Sequence, residues 1–218
     1  MLKKYVNQIE KIIEICGRLH VRNLLASADG NVSVRVEDDL VLITPSGLHK
    51  GYLKPEDFAL VTLDNRVLHG KPSSERLMHL EVFRSCAEAR AVVHAHPPHA
   101  IAWSVARPDL KELPAECLSE VILAVGSIPF VPYARPGTSE MAEVLKPYLP
   151  DHRVMVLSRH GGLSWGEDLD EAYNGMERLE HSALILKYAQ DLGGLTALPR
   201  DEIAYLKETR KKLGKRTL

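Results

Sequence analysis

The chain has 218 residues, of which 45% are hydrophobic, a length and composition ordinary for a folded globular protein. Its formal net charge of -1 gives no global reason to expect binding to nucleic acid or to an anionic membrane. No apolar run approaches the roughly 20 residues that a membrane span requires, and the amphipathic N-terminal segment does not resemble a signal peptide.

The three cysteines, Cys16, Cys86 and Cys117, are widely spaced among apolar neighbours. Because neither a zinc-finger spacing nor a disulfide framework is present, we expect reduced core side chains in a cytoplasmic protein. The sequence contains no repeat, linker or low-complexity segment. We therefore expect one domain spanning residues 1–218.

The first part of the chain predicts a helix followed by an antiparallel meander. Apolar residues at three- and four-residue steps indicate a helix over residues 4–25, which a polar segment at 27–31 ends. Alternating or continuously apolar segments at 32–36, 40–44 and 58–63 predict strands that pair in sequence order.

The rest of the chain alternates helices with buried strands. Ser73 or Ser74 is suited to cap a helix that ends near residue 88, and a capping-box pattern with Ser139 opens another helix. Further strands are predicted at 91–96, 130–132 and 154–157, and further helices at 100–106, 168–190 and 200–213. These elements predict an α+β fold of three αβα layers, with a mainly antiparallel sheet between helices.

Two histidines follow a buried strand at spacing two. Residues 91–93 are apolar and lead into His94 and His96, whose side chains point the same way because strand residues alternate faces. His160 follows the strand predicted at 154–157, so three imidazoles could meet at one sheet edge and bind a catalytic metal ion. Taken singly, each of the ten histidines could equally be a satisfied polar residue, and His99 is better placed at a helix start.

Glu75 directly follows the Ser73-Ser74 pair, at the start of a predicted helix. A carboxylate there is ordinarily a partner for the helix dipole. Beside a metal ion, Glu75 could instead bind that ion or act as a general base.

Short polar loops form a third group of candidate site residues. Each could offer a backbone N–H or a short side-chain donor, which would suit a phosphate at a helix N-terminus, although alone they are turn residues. They are Gly30, Asn31, Ser46, Gly47, Ser73 and Ser74.

Together these pieces resemble the class II aldolase/adducin family over nearly the whole chain. The segments that carry the resemblance are 30–35, 43–47, 71–75, 92–96, 132–138 and 160–161, in the family's order. The resemblance implies that His94, His96 and His160 bind Zn²⁺, or Mn²⁺ or Co²⁺, and that Glu75 completes the coordination and serves as acid and base. It implies that the loop residues named above hold the phosphate of a sugar phosphate or of dihydroxyacetone phosphate.

The activity implied first is reversible cleavage of a ketose 1-phosphate, of the L-fuculose 1-phosphate type, to dihydroxyacetone phosphate and a short aldehyde. A divalent ion on the carbonyl and hydroxyl oxygens would stabilise the enediolate, while Glu75 takes the proton. The family's four-fold tetramer, with active sites between subunits, is the expected assembly, and no nucleic acid or membrane partner is implied.

One departure concerns the tyrosine with which the family's aldolase protonates the aldehyde oxygen from a neighbouring subunit. Counting back from residues 128–129, Leu118 takes its place and cannot donate a proton. Glu116, Glu120, Tyr133 or Tyr205 could substitute, and the sequence does not choose among them.

Because of this departure, other reactions of the family remain alternatives. They use the same metal-binding and phosphate-binding residues. They are methylthioribulose-phosphate dehydration, pentulose-phosphate 4-epimerisation and sugar-acid-phosphate decarboxylation. A non-catalytic scaffold like the adducin head is a further alternative, but such a module need not keep all three histidines.

Overall fold

The computed structural model describes residues 1–149 and 151–217. Helix α1 (Val6–Val21) is followed by the strands β1 (Asn31–Glu37), β2 (Leu40–Ile43), β3 (Ala59–Thr62) and β4 (Val67–His69), and then by α2 (Arg76–Ser85), β5 (Ala91–Ala95) and α3 (Pro98–Ala106). The second half contains α4 (Ser119–Ala124), β6 (Phe130–Val131), α5 (Ser139–Leu145), β7 (Val154–Leu157), β8 (Gly161–Gly166), α6 (Leu169–Asp191) and α7 (Arg200–Leu213).

The eight strands form one sheet in the order β4-β3-β2-β1-β5-β8-β7-β6. Every neighbouring pair is antiparallel except β6 with β7, which run parallel at the sheet edge. The predicted meander of the N-terminal half is therefore confirmed, and so is the mainly antiparallel sheet. Strands β1, β5 and β8 lie side by side at its centre.

Helices cover both faces of this sheet, as the predicted αβα layering requires. Successive strand residues point to opposite faces, so Val93 packs in the core beneath α1, α3 and α6, whereas Val92 packs in the core beneath α2 and α5. Both valines are fully buried. The continuous apolar run of β5 reflects this burial on two sides.

A buried ion pair ties the start of α6 to the sheet. Arg153 Nη1 lies 2.7 Å from Glu171 Oε1, and the Arg153 guanidinium lies 4.7 Å from the centre of the Trp165 ring. The Thr217 backbone N–H donates to the same Glu171 oxygen at 2.7 Å. Both charged side chains are shielded from solvent, so each depends on its partners for compensation.

Several local predictions differ from the structure. Strands β4 and β8 were not predicted, because β4 is short and exposed and β8 is rich in glycine. Neither serine caps α2: Glu75 stands at the cap position, and the Ser73 hydroxyl accepts the Glu75 N–H at 3.2 Å. Ser139 is the first helical residue of α5 and not its cap.

The three cysteines are free; Cys16 and Cys86 are buried, and Cys117 is half-buried. In the described part of the chain, no helix combines the length and apolar character needed to cross a membrane.

Candidate metal centre

Three imidazoles meet at the end of the central strands. His94 is the fourth residue of β5, His96 follows the last residue of that strand, and His160 closes the turn between β7 and β8. The ring centroids are 5.1 Å apart for His94 and His96, 4.8 Å for His94 and His160, and 5.3 Å for His96 and His160. One nitrogen from each ring lies within 4.8 Å of the other two, so the group could hold a metal ion.

Acceptor oxygens behind two of the rings determine which nitrogen faces the cluster. His94 Nδ1 lies 2.8 Å from the carbonyl oxygen of Gly162, and His96 Nδ1 lies 3.3 Å from Asp29 Oδ2. Both partners can only accept, so each Nδ1 carries a proton, and in the neutral form that metal binding requires each ring would present its Nε2 lone pair to the cluster. These two Nε2 atoms are buried without a hydrogen-bond partner.

The Glu75 carboxylate lies between two of these imidazoles. Its Oε2 is 3.3 Å from His94 Nε2, and its Oε1 is 3.1 Å from His160 Nε2. Burial alone would raise the pKa of Glu75, but the charge on His94 and the contacts with His160 hold that pKa well below its ordinary range. Burial likewise opposes protonation of His94, yet Glu75 raises the pKa of His94 above its usual value.

His96 behaves differently, although it also lies near a carboxylate, the half-exposed Asp29. Burial, followed by the positive charge on His94, lowers the pKa of His96 to about 4. This ring is therefore neutral at ordinary pH, as a metal ligand must be.

The donor set fits a divalent transition metal. Three imidazoles and one carboxylate are ligand types that zinc and its neighbours accept, and unpartnered buried nitrogens are costly unless something binds them. The histidine cluster also requires a residue without a side chain at position 161. A Cβ at Gly161 would lie 2.6 Å from the Ala95 carbonyl oxygen and 2.7 Å from His94 Cε1. The close packing of β8 against β5 thus depends on glycine at this position.

A cleft of about 510 Å³ opens beside the histidines. Glu75, His96 and His160 line it together with all six predicted loop residues, which are Gly30, Asn31, Ser46, Gly47, Ser73 and Ser74. The structure therefore brings three of the four candidate metal ligands and all the candidate phosphate-loop residues to one cavity, with His94 buried behind them.

Lys50 lines the same cleft and was not predicted. It is the one lysine or arginine among the described residues of the lining, and only 2% of it is exposed. Its ammonium donates to the carbonyl oxygens of Ala28 and Leu48, both at 2.7 Å, and burial lowers its pKa. Lys50 thus joins the two loops that flank the cleft and adds a positive charge to it.

A buried chain of polar side chains behind Glu75 was also missed. Asn31 Nδ2 donates to Glu75 Oε2 at 2.9 Å, Asn31 Oδ1 contacts His79 Nε2, and His79 Nδ1 lies 2.7 Å from Ser33 Oγ. His79 and Ser33 are fully buried. His79 lies on the apolar face of α2, where the sequence pattern marks only a core position.

Leu118 lies away from the cleft. It lines a different surface groove of about 730 Å³ together with Glu120 and residues of α6. Glu116 pairs with Lys207 at 2.6 Å. Tyr133 and Tyr205, both exposed, are likewise not among the described residues that line the metal-side cleft.

Comparisons with known proteins agree with this architecture. The model of the class II aldolase and adducin N-terminal domain matches residues 10–186. An L-fuculose phosphate aldolase of Methanococcus vannielii is 37% identical over 175 residues, which are 80% of this chain and 93% of that protein. A 3-oxo-tetronate 4-phosphate decarboxylase of Escherichia coli K12 is 34% identical over 183 residues, which are 81% of this chain and 84% of that protein.

Solved structures give the same result. The crystal structure of YgbL from Escherichia coli, for which aldolase, epimerase and decarboxylase are all named, has a TM-score of 0.86 and 32% identity. That comparison covers 92% of this chain and 98% of YgbL. An L-fuculose 1-phosphate aldolase has a TM-score of 0.83 and 29% identity, covering 93% of this chain and 95% of that one. The chain belongs to the class II aldolase and adducin family.

Proposed function

We propose that this protein is a divalent-metal-dependent aldolase that reversibly cleaves a ketose 1-phosphate to dihydroxyacetone phosphate and a short aldehyde. The observation that carries the proposal is the position of Glu75, between the three imidazoles and the loops that line one cleft. An L-fuculose phosphate aldolase is among the relatives that are more than 30% identical to the chain.

His94, His96 and His160, with Glu75, would hold the metal ion, for which zinc is our first choice. When bound, the ion would supply positive charge that polarises the substrate carbonyl and offsets the negative charge developing beside it. Glu75 holds or releases the proton at the carbon next to that carbonyl.

The loops would hold the substrate phosphate. Asn31, Ser46 and Ser73 offer side-chain donors around the cleft, and Gly47 adds backbone freedom with a φ of 76°. Lys50 would balance part of the phosphate charge from below these loops. This arrangement supports a phosphorylated substrate over a neutral sugar.

Decarboxylation of a 3-oxo sugar-acid phosphate is the second candidate, and Leu118 favours it. Aldol cleavage breaks a carbon–carbon bond while a hydroxyl on the leaving carbon loses its proton, so a group must handle that proton. Loss of CO₂ leaves the electron pair on the same kind of carbon, beside a carbonyl, but has no such hydroxyl. A leucine in place of the tyrosine would therefore impair the aldolase and leave the decarboxylase unaffected.

We also propose a tetramer in which a neighbouring copy completes the site. None of the four candidate replacements for the tyrosine lines the cleft among the described residues of this chain. An aldolase would then take its second proton-handling group from another subunit. Light scattering of the purified protein measures this directly: a monomer that cleaves its substrate would contradict the proposal.

The deciding experiment offers the metal-analysed protein L-fuculose 1-phosphate and, separately, a 3-oxo-tetronate 4-phosphate. An aldolase releases dihydroxyacetone phosphate from the first substrate, and it joins dihydroxyacetone phosphate to aldehydes in the reverse direction. A decarboxylase releases CO₂ from the second substrate only. The absence of both products, with metal bound, would contradict both proposals.

Glu75→Gln tests the residue on which both reactions depend. The amide keeps the shape of the side chain but cannot accept a proton, so we expect turnover to fall by about 100-fold or more while the metal stays largely bound. Glu143→Gln, which changes an exposed carboxylate on α5, is the matched control. Full activity of Glu75→Gln would contradict the proposal that Glu75 is the acid and base.

A further inference from the structure

The hydrogen bonds behind Glu75 have a direction that the chemistry of each atom determines. The Glu75 carboxylate can only accept, so the amide nitrogen of Asn31 must face it, as it does at 2.9 Å. The amide oxygen of Asn31 then faces His79 Nε2 and can only accept from that atom. His79 Nε2 must therefore carry the proton of the ring.

The far end of the chain agrees with this tautomer. With the proton on Nε2, His79 Nδ1 is an acceptor, and the Ser33 hydroxyl 2.7 Å away donates to it. Burial lowers the pKa of His79 to about 3, so the ring is neutral at ordinary pH. Ser33, His79 and Asn31 belong to β1 and α2, and all three are almost completely buried, so the surrounding core fixes their positions.

Reversing any one member would disrupt the whole chain. If the Asn31 amide were flipped, its oxygen would face Glu75 Oε2 and its NH₂ group would face the His79 N–H. Two acceptors would then meet at one contact and two donors at the other, and buried polar groups left unpaired in this way are destabilising. The Nε2–H tautomer of His79 and the orientation of Asn31 thus stabilise each other, and both present the amide nitrogen to the carboxylate.

The two oxygens of Glu75 consequently have different surroundings. Oε2 accepts the hydrogen bond from Asn31 and lies 3.3 Å from His94 Nε2, whereas Oε1 accepts no hydrogen bond from Asn31 and lies 3.1 Å from His160 Nε2, one of the proposed metal ligands. An oxygen that already accepts a fixed N–H is the poorer proton acceptor, because protonation would weaken that bond.

We propose that Ser33, His79 and Asn31 form a positioning relay that fixes Glu75 through Oε2 and leaves Oε1 as the oxygen that exchanges the proton with substrate. This inference rests on the proposed role of Glu75 as acid and base. His79 and Ser33 are positioning residues, since neither lines the cleft.

Nitrogen-15 NMR of the histidine side chains tests the relay without any substrate. In the metal-loaded protein we expect His79 to show the Nε2–H tautomer and to remain neutral throughout the range in which the protein stays folded. A proton on Nδ1, or a charged ring near neutral pH, would overturn the relay. This measurement needs no variant, so it decides the question even if a His79 substitution prevents folding.

Two substitutions at His79 add a functional readout. His79→Leu removes the donor to Asn31, so we expect kcat to fall by about 10- to 100-fold, while KM and metal affinity stay nearly unchanged. His79→Gln keeps an N–H at the position of Nε2 and should recover most of that loss. Equal losses in both variants, or a loss explained by weaker metal binding, would show a merely structural role.

The outcome is separable from the proposed function. If the unmutated protein neither cleaves nor decarboxylates sugar phosphates, the proposed function fails. The tautomer of His79 would still establish whether the relay exists.

Discussion

Replacing Gly161 by alanine tests whether the three histidines and the strand beneath them form one rigid metal site. Gly161 is the first residue of β8 and pairs with Leu157 of β7. Its backbone is not in the left-handed region, so alanine is acceptable there as far as the main chain is concerned. Any effect of the substitution must come from the added methyl group.

The structure sets the size of that effect. The new Cβ would lie 2.6 Å from the Ala95 carbonyl oxygen, 2.7 Å from His94 Cε1 and 3.1 Å from His96 Cδ2. The two nearer atoms would have to move by about 0.8–0.9 Å to reach ordinary van der Waals contact. Metal–nitrogen bonds tolerate only about 0.2 Å. We therefore expect metal affinity to fall by about 10- to 100-fold and the metal-free protein to lose about 1–3 kcal/mol of stability.

Competition with a metal-binding dye measures the affinity, and urea unfolding of the metal-free protein measures the stability. Gly175→Ala is the matched control, because the three atoms nearest its methyl group belong to Ser164 and, at 2.8 Å, to Val154, and none of them belongs to a histidine. It should lower stability at most and leave metal affinity unchanged. Unchanged metal affinity in Gly161→Ala, or an equal loss in both variants, would refute the reasoning.

Three further predictions concern groups outside the proposed metal ligands. Arg153→Met removes the nearest cation of the buried Glu171 carboxylate, which keeps Arg216 Nε at 3.4 Å, and should cost about 1.5–3 kcal/mol in urea unfolding. A loss below about 1 kcal/mol would equate this pair with a surface one. The pKa of His79 is about 3 in the folded protein, below its ordinary value of 6.5. Between these two values His79 is protonated in the unfolded chain and neutral in the folded protein. Stability is then lost as pH falls below about 6.5, by up to about 1.4 kcal/mol per pH unit, and the metal-free His79→Gln protein should lack this contribution in parallel urea titrations. Burial raises the pKa of both Cys16 and Cys86 to about 12, so neither should react with a thiol reagent at pH 8 until the protein unfolds, and rapid labelling of all three cysteines in the native state would contradict this.

Much of the fold was predictable because the buried face of a helix or strand requires apolar residues at regular spacings in the sequence. The apolar run before His94 predicted a buried strand, and the alternation of side chains placed His94 and His96 on one side. The meander and the long helix α6, which begins at the Asp168 cap, follow from patterns of the same kind.

Strand β8 was not predictable in this way. Its sequence contains Gly161, Gly162 and Gly166, and glycine has low strand propensity. It becomes a strand because β5 and β7 pair with it on either side, while its glycines admit side chains such as Leu179 of α6. That requirement exists only in the folded sheet.

His79 and Lys50 escaped prediction for a related reason. His79 occupies an apolar helix face, and only the packing of α2 against β1 shows that Ser33 and Asn31 are its partners. From the sequence alone Lys50 is indistinguishable from a surface lysine. Its burial depends on the contact with Ala28, in a loop that is distant in sequence. In both cases the informative contact joins residues far apart in sequence.

The register of the central strands has a consequence for how the protein folds. Asn31 of β1 lies opposite His94 of β5, and His94 lies opposite Leu163 of β8, so the site forms only where three remote stretches of chain have paired. Pairings of such long sequence separation close slowly and complete late. A metal ion would therefore find its ligands assembled only near the end of folding, and it should lengthen the lifetime of the native state while leaving the rate of folding almost unchanged.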